Sequence, residues 1–237
     1  MINLEMKVNK TPAGLYTVTY AREEAPLDVQ EAAFAAKGLE IVSPAQLGFL
    51  RTKGRKGAFN LYSRTNADVV YDDRNNKIVI VPDGAISKIV GVSSLVGAHR
   101  QDREYIIPKN QRDTVYATVD EMLKNSIAFT ANHGTTNVQT SEFGKNDLTS
   151  RLFSDKRLGF KAQEYGDWLK EQGRASQSMF FDLADYAKSQ KGPYLNRLRV
   201  YGPDNDFGVN GGNWLLDYFD GAFGVRFEKI AEGGAKK

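Results

Sequence analysis

Between Gly192 and Phe227 the chain contains no Lys, Glu, Gln or Met, although Lys and Glu are common elsewhere in it. Gly, Asn, Asp, Tyr and Phe take their place, so the segment must be short strands joined by turns and loops. Leu198–Tyr201 and Phe223–Phe227 read as the strands. Trp214, Phe223, Val225 and Phe227 are expected to fill a core. Tyr201, Phe207, Tyr218 and Phe219 lie among turn residues, where burial is harder to arrange, and are expected to face a ligand.

The upstream chain alternates strands and helices. Gly14–Ala21 alternates apolar and polar residues and reads as a strand. Asp28, with Glu31 three residues on, reads as a capping box, and Val29, Ala32, Ala33 and Ala36 share one helix face. Gly38 ends that helix. Leu39–Val42 is a short strand, and Ser43-Pro44-Ala45-Gln46 opens a second helix with a Ser N-cap, Pro at the first position and Gln at the third. Ala67–Pro82 reads as a β-hairpin. Thr118–Glu121 reads as the start of a further helix, Asn132–Asn146 as a long loop, and Tyr165–Glu171 as a helix. Phe180, Leu183, Ala184 and Ala187 suggest another amphipathic helix, stopped by Gly192-Pro193.

The chain's 237 residues suit one large domain or two small ones, with a substantial core. A net charge of +3 is too small to argue for nucleic acid. The basic clusters Arg51–Lys56 and Arg151–Lys161 are interrupted by apolar and acidic residues and read as solvated surface. The absence of cysteine removes disulfides, thiolate metal sites and Cys nucleophiles. No apolar run approaches the ~18 residues of a membrane span, and Met1–Lys10 has no signal-peptide core. The expectation is a cytoplasmic or virion-associated protein without membrane insertion, with a disordered tail at 231–237.

Catalytic signals are sparse. His99 and His133 are the only histidines and neither has a metal-ligand spacing. No nucleophile elbow, Walker loop or dinucleotide fingerprint is present. Asp204, Asp206, Asp217 and Asp220 offer carboxylates for glycoside cleavage or for Ca²⁺, but without an EF-hand spacing. No enzyme and no cofactor is therefore the expectation, with calcium as the one ion the aspartates could take. The aromatic, Gly and Asn content instead matches the chemistry of paratopes, where rigid rings give contact area and small polar residues give adaptable hydrogen bonds. Depletion of Lys and Glu is also a property of interface cores.

Gly211-Gly212-Asn213-Trp214, followed by Gly221-Ala222-Phe223-Gly224-Val225-Arg226-Phe227, resembles the terminal pattern of C-type-lectin-like domains of the formylglycine-generating-enzyme type. Asp28–Ala36 and Gly38–Leu47 resemble that family's helix, strand and Ser/Thr-Pro helix. Formylglycine generation depends on cysteine, so the resemblance implies the non-enzymatic branch, which includes variable proteins of diversity-generating retroelements. Adenine-directed mutagenesis there reaches Asn, Asp, Tyr, Phe and Gly but not Lys, Glu, Gln or Met. The implied fold class is α+β: one C-type-lectin-like domain over 1–230, with two early helices, a small twisted antiparallel sheet and a long insertion at about 100–190. The implied function is recognition of a protein or glycan ligand through Tyr201, Asp204, Asn205, Asp206, Phe207, Asn210, Asn213, Asp217, Tyr218, Phe219 and Asp220. The alternative is an assembly subunit of a virus particle that uses the same segment as a protein interface, and a carbohydrate-active enzyme is the third reading.

Overall fold

Alternation in two central strands decides the architecture. Val69, Ile78 and Ile80 belong to one apolar cluster, while Val70, Val79 and Val81 belong to another. Successive residues of a strand point to opposite faces. A run such as Ile78-Val79-Ile80-Val81 is therefore apolar throughout because both of its faces are covered. The fold is described from a computed structural model, over residues 4–11, 14–54, 59–99, 105–181, 192–202, 208–211 and 221–229.

In chain order the strands are β1 (Leu4–Thr11), β2 (Gly14–Glu24), β3 (Glu40–Ile41), β4 (Ser63–Asp72), β5 (Lys77–Val81), β6 (Tyr105–Ile106), β7 (Phe129–Ala131), β8 (Gly134–Gln139), β9 (Ser176–Phe181), β10 (Tyr194–Val200), β11 (Val209–Asn210) and β12 (Gly221–Lys229). The helices are α1 (Leu27–Ala35), α2 (Pro44–Lys53), α3 (Ala85–Val90), α4 (Val92–His99), α5 (Lys109–Lys124), α6 (Asp147–Phe153) and α7 (Ala162–Glu171). The class is α+β, with the two early helices where the sequence places them.

Among the described residues twelve strands form one sheet with the path β1-β2-β12-β4-β10-β11-β9-β8, and β5 lies against β4 and β7. It is larger than the small antiparallel sheet expected, and it is mixed: β12 meets β4 in parallel, as β11 meets β9. β7, β8 and β9 come from the stretch 100–190 and pair into this same sheet. One face carries α2, α6 and α7 around Phe49, Phe143, Phe153 and Tyr165. The other carries α1 and the helices α3 to α5, around Phe34, Ile86, Leu95 and Val115.

Local signals explain α2 well. Ser43 Oγ accepts from the Gln46 N–H at 3.1 Å, and Gln46 Oε1 accepts from the Ser43 N–H at 2.9 Å, completing the capping box. α1 differs from its expected form. Pro26 is its N-cap, and Asp28 lies inside the first turn. The buried stripe is Leu27, Gln30 and Phe34, while Val29 is 47% exposed. Gln30 tolerates burial because its amide donates to the Glu23 carbonyl and accepts from Arg64. Gly38, at φ 63°, ends this element in the left-handed region as expected.

Three other expectations are corrected. Thr118 lies within α5, which begins after Pro108, and its hydroxyl donates to the Thr114 carbonyl one turn back. The expected loop Asn132–Asn146 contains β8, a polar strand that pairs antiparallel with β9. Phe180 lies in that partner strand rather than in a helix. Its neighbours alternate between half-buried and buried, which is the period of a strand. Leu183, Ala184 and Ala187 lie outside the described residues, as does the tail 231–237. Among the described residues no helix is long and apolar enough to cross a membrane.

Candidate functional site

The segment singled out by composition leaves the sheet at the end of β10, touches it again in β11, and returns in β12. Its departure is fixed by one side chain. Arg51, on α2, is 5% exposed. Its Nε donates to the Phe59 carbonyl, one Nη to the Tyr201 carbonyl and the Tyr165 hydroxyl, and the other to the Leu61 carbonyl, each at 2.8 Å, with Val200 O at 3.4 Å. A guanidinium presents five N–H donors in a rigid fork. Here the fork binds the stretch 59–61 to the start of the candidate loop. Arg51 was expected on the surface and is instead a buried hub. The signal that could have found it is its place directly after Leu47, Phe49 and Leu50 on a helix whose other faces are also buried.

Two further contacts fix the same place. Gly202 passes so close to the Asn60 carbonyl that any Cβ there would collide with backbone. The Tyr201 ring lies 6.3 Å from that of Tyr62. The return is pinned as well. The Gly221 N–H donates to the Tyr62 hydroxyl and the Phe223 N–H to Ser63 Oγ, both at 3.2 Å. Phe223 is buried, with its ring 5.0 Å from that of Phe59. Val225 is buried, and Phe227 packs half-buried with its ring 5.9 Å from that of Phe49. These three form part of a core frame, as the sequence predicts. Trp214 lies outside the described residues.

The candidate ligand-facing residues fall into two groups. Tyr201 is partly buried, and its N–H donates to the Gly208 carbonyl at 3.0 Å. Asn210 is 3% exposed and lies in β11, opposite Arg199 of β10. It is an enclosed member of the frame rather than a displayed contact, because β11 is held between β10 and β9. Asp204, Asn205, Asp206, Phe207, Asn213, Asp217, Tyr218, Phe219 and Asp220 lie outside the described residues. The aspartates considered for calcium are therefore among those not described. Among the described residues no three acidic, His or Cys side chains gather as a metal site. His133 stacks edge-on against Tyr71, with ring centroids 5.4 Å apart.

A second buried polar cluster crosses the sheet. Arg197 and Asp68 face each other across β10 and β4, with Nε 3.1 Å from the carboxylate. Asp68 also accepts from the N–H groups of Ile86 and Ser87 and from the Ser87 hydroxyl, so it caps α3. Glu31 of α1 accepts from Arg197 at 2.7 Å. Burial, joined by the nearby Asp68 and Asp28 carboxylates, outweighs the attraction of Arg197 and Lys88 and raises the Glu31 carboxyl above its ordinary range. A raised carboxyl binds its proton more tightly folded than unfolded. Stability from this residue is thus full at acid pH and falls as pH rises through the folded value. Glu31→Gln is expected to match the parent protein below about pH 4 and to equal or exceed it at pH 7, as urea midpoints across pH would record.

No sequence-family model matches the chain, and no curated protein matches it. In structure it is similar to a solved protein described for the accommodation of massive sequence variation in Nanoarchaeota by the C-type lectin fold. The two share 10% sequence identity and superpose with a TM-score of 0.51, over 90% of this chain and 97% of the other. The chain has the C-type lectin fold. Within that fold Tyr201 and Gly221 are two pinned points of the segment, and the polar cluster at Asp68 lies elsewhere on the sheet.

Proposed function

We propose that the chain is a ligand-recognition protein that displays the loops between Tyr201 and Gly221 on a lectin-fold scaffold. The observation that carries this reading is the separate anchoring of the segment's two ends. Arg51 fixes the exit, and Tyr62 and Ser63 fix the return. A segment held at these points by contacts to its backbone can change side chains outside β11 without loss of the scaffold. Backbone carbonyls and N–H groups, unlike side chains, remain when residue identity changes.

The contact residues on this reading are Tyr201, Asp204, Asn205, Asp206, Phe207, Asn213, Asp217, Tyr218, Phe219 and Asp220. The rings supply contact area with few torsions to freeze, and the Asn and Asp groups supply directional hydrogen bonds. The partner is a protein or glycan on a target surface, and no catalytic step is involved. A receptor-binding component of a virus particle is one setting for such a protein. The residue types missing from Gly192–Phe227 support diversification by a retroelement. The test is genomic: a reverse transcriptase beside a near-copy of the codons for 194–227, differing at adenines, supports it. A neighbourhood without either removes the retroelement from the reading.

Display and core roles separate in a thermal denaturation experiment. Tyr218→Ser and Phe219→Ser are expected to shift Tm by less than about 3 °C, as for surface changes of under about 1 kcal/mol. Phe223→Ser, in the buried frame, is expected to cost about 3–5 kcal/mol. Comparable losses at all three positions would put Tyr218 and Phe219 in the core and end their assignment as contacts.

A further inference from the structure

We propose that the chain has a second binding site, for a small amphipathic anion of the medium-chain carboxylate type, in the cleft between the start of α2, the end of α6 and the turn after β5. The cleft has a volume of about 310 Å³ and takes no lining residue from the segment after Gly192. It is therefore separate from the recognition loops. Its size is at the lower end of the range for small-molecule pockets.

The floor is apolar. Ala67, Ile80, Phe129 and Leu152 line it, and each is at most 9% exposed. Pro44 and Ala45, from the first turn of α2, form one wall. Water over such a surface finds few hydrogen-bond partners, so a hydrocarbon body displaces it favourably.

The rim carries Arg151, Lys156 and Arg157 against Asp83 and Asp155, one cation more than it has carboxylates. Asp155 accepts from the Arg157 guanidinium at 3.2 Å and from the N–H groups of Arg157 and Leu158, so it is neutralised within its own turn. Asp83, on the turn after β5, accepts from the Asn66 amide and keeps its negative charge. Arg151 lies over the Phe129 ring at 5.4 Å and reaches Asp147 at 3.4 Å in an exposed pair, which screens it weakly. The Lys156 ammonium is exposed and makes no ion pair among the described residues. The positive end of the α2 dipole lies on the wall formed by Pro44 and Ala45. An apolar floor below a rim with one cation in excess selects a ligand with a short hydrocarbon tail and one anionic head.

Isothermal titration of the full chain with sodium octanoate tests this. Saturable binding of one octanoate per chain is expected, with a Kd of about 1 mM or tighter. Acetate, the head without the tail, and octylammonium, the tail with the opposite charge, are expected to give no saturable heat. Lys156→Glu is expected to weaken octanoate about fivefold, as reversal of a partly solvated charge does. Lys145→Glu makes the same change in net charge outside the cleft and is expected to leave binding unchanged. Failure of octanoate to saturate, equal binding of octylammonium, or equal weakening by both lysine variants would each overturn the site. Lys156 and Lys145 are both exposed, so circular dichroism is expected to report the same fold for both variants.

Discussion

Arg51→Met is expected to lower stability by about 3–5 kcal/mol and Tm by about 10 °C, measurable by urea and thermal denaturation. Methionine matches much of the volume, so packing is not the main loss. The loss is in the carbonyls of Phe59, Leu61, Val200 and Tyr201, which all accept from this one guanidinium. A buried acceptor left without a donor costs about 1–3 kcal/mol. Water entering from the Leu61 side, where Leu61 is 52% exposed, recovers part of that. Arg51→Lys keeps the charge, but one ammonium cannot reach acceptors spread along two chain segments, so it should recover less than half of the loss. Tyr165→Phe removes only one partner of the hub and should cost about 1 kcal/mol. If Arg51→Met cost no more than Tyr165→Phe, the hub would not hold the exit of the recognition segment. The proposal of a loop pinned at both ends would then lose one of its ends.

The parts of the fold that can be read from sequence are those whose signals are local. The Ser43–Gln46 box is complete within four residues, and the structure repeats it bond for bond. The β4–β5 hairpin follows from two apolar runs around an Asp/Arg/Asn turn, where Asn76 takes φ 51°. Sheet order is not local. β12 inserts between β2 and β4, and no pattern within Gly221–Lys229 specifies partners from so early in the chain. β8 was hidden for a different reason. Thr135, Thr136 and Asn137 are exposed on a strand paired, among the described residues, on one side only, so the apolar alternation that marks a strand is missing.

The candidate site divides in the same way. Phe223, Val225 and Phe227 could be assigned to the frame because apolar residues in a Gly-bounded run have few other places to go. Asn210 could not, because a polar residue among glycines looks like a loop. Its burial depends on β9 and β10 closing on both sides of β11. Arg51, Tyr62 and Ser63 come from positions more than a hundred residues before the segment they hold. Charge alone places an arginine on the surface, and only the four carbonyls supplied by tertiary structure make its burial favourable.

Asp68→Ala is expected to be as damaging as Arg51→Met, at about 3–5 kcal/mol by urea denaturation. Asp68 is fully buried and serves two groups of donors. Its loss orphans the Ile86 and Ser87 N–H groups at the start of α3 and leaves Arg197, 3% exposed, with Glu31 as its remaining carboxylate. Arg197→Met should cost less, about 2–3 kcal/mol, because Asp68 keeps its α3 donors and the partly exposed Glu31 can turn toward water. The double variant Asp68→Ala/Arg197→Met no longer buries an unmatched guanidinium. It should therefore lose about 2 kcal/mol less than the sum of the two single changes. What remains in the double variant is the unpaired start of α3, and Asp68→Asn, which keeps one acceptor for those N–H groups, isolates that share. Strict additivity of Asp68→Ala and Arg197→Met would mean that the guanidinium finds water in the single variant, and so that the sheet opens locally at Asp68 more easily than its burial implies.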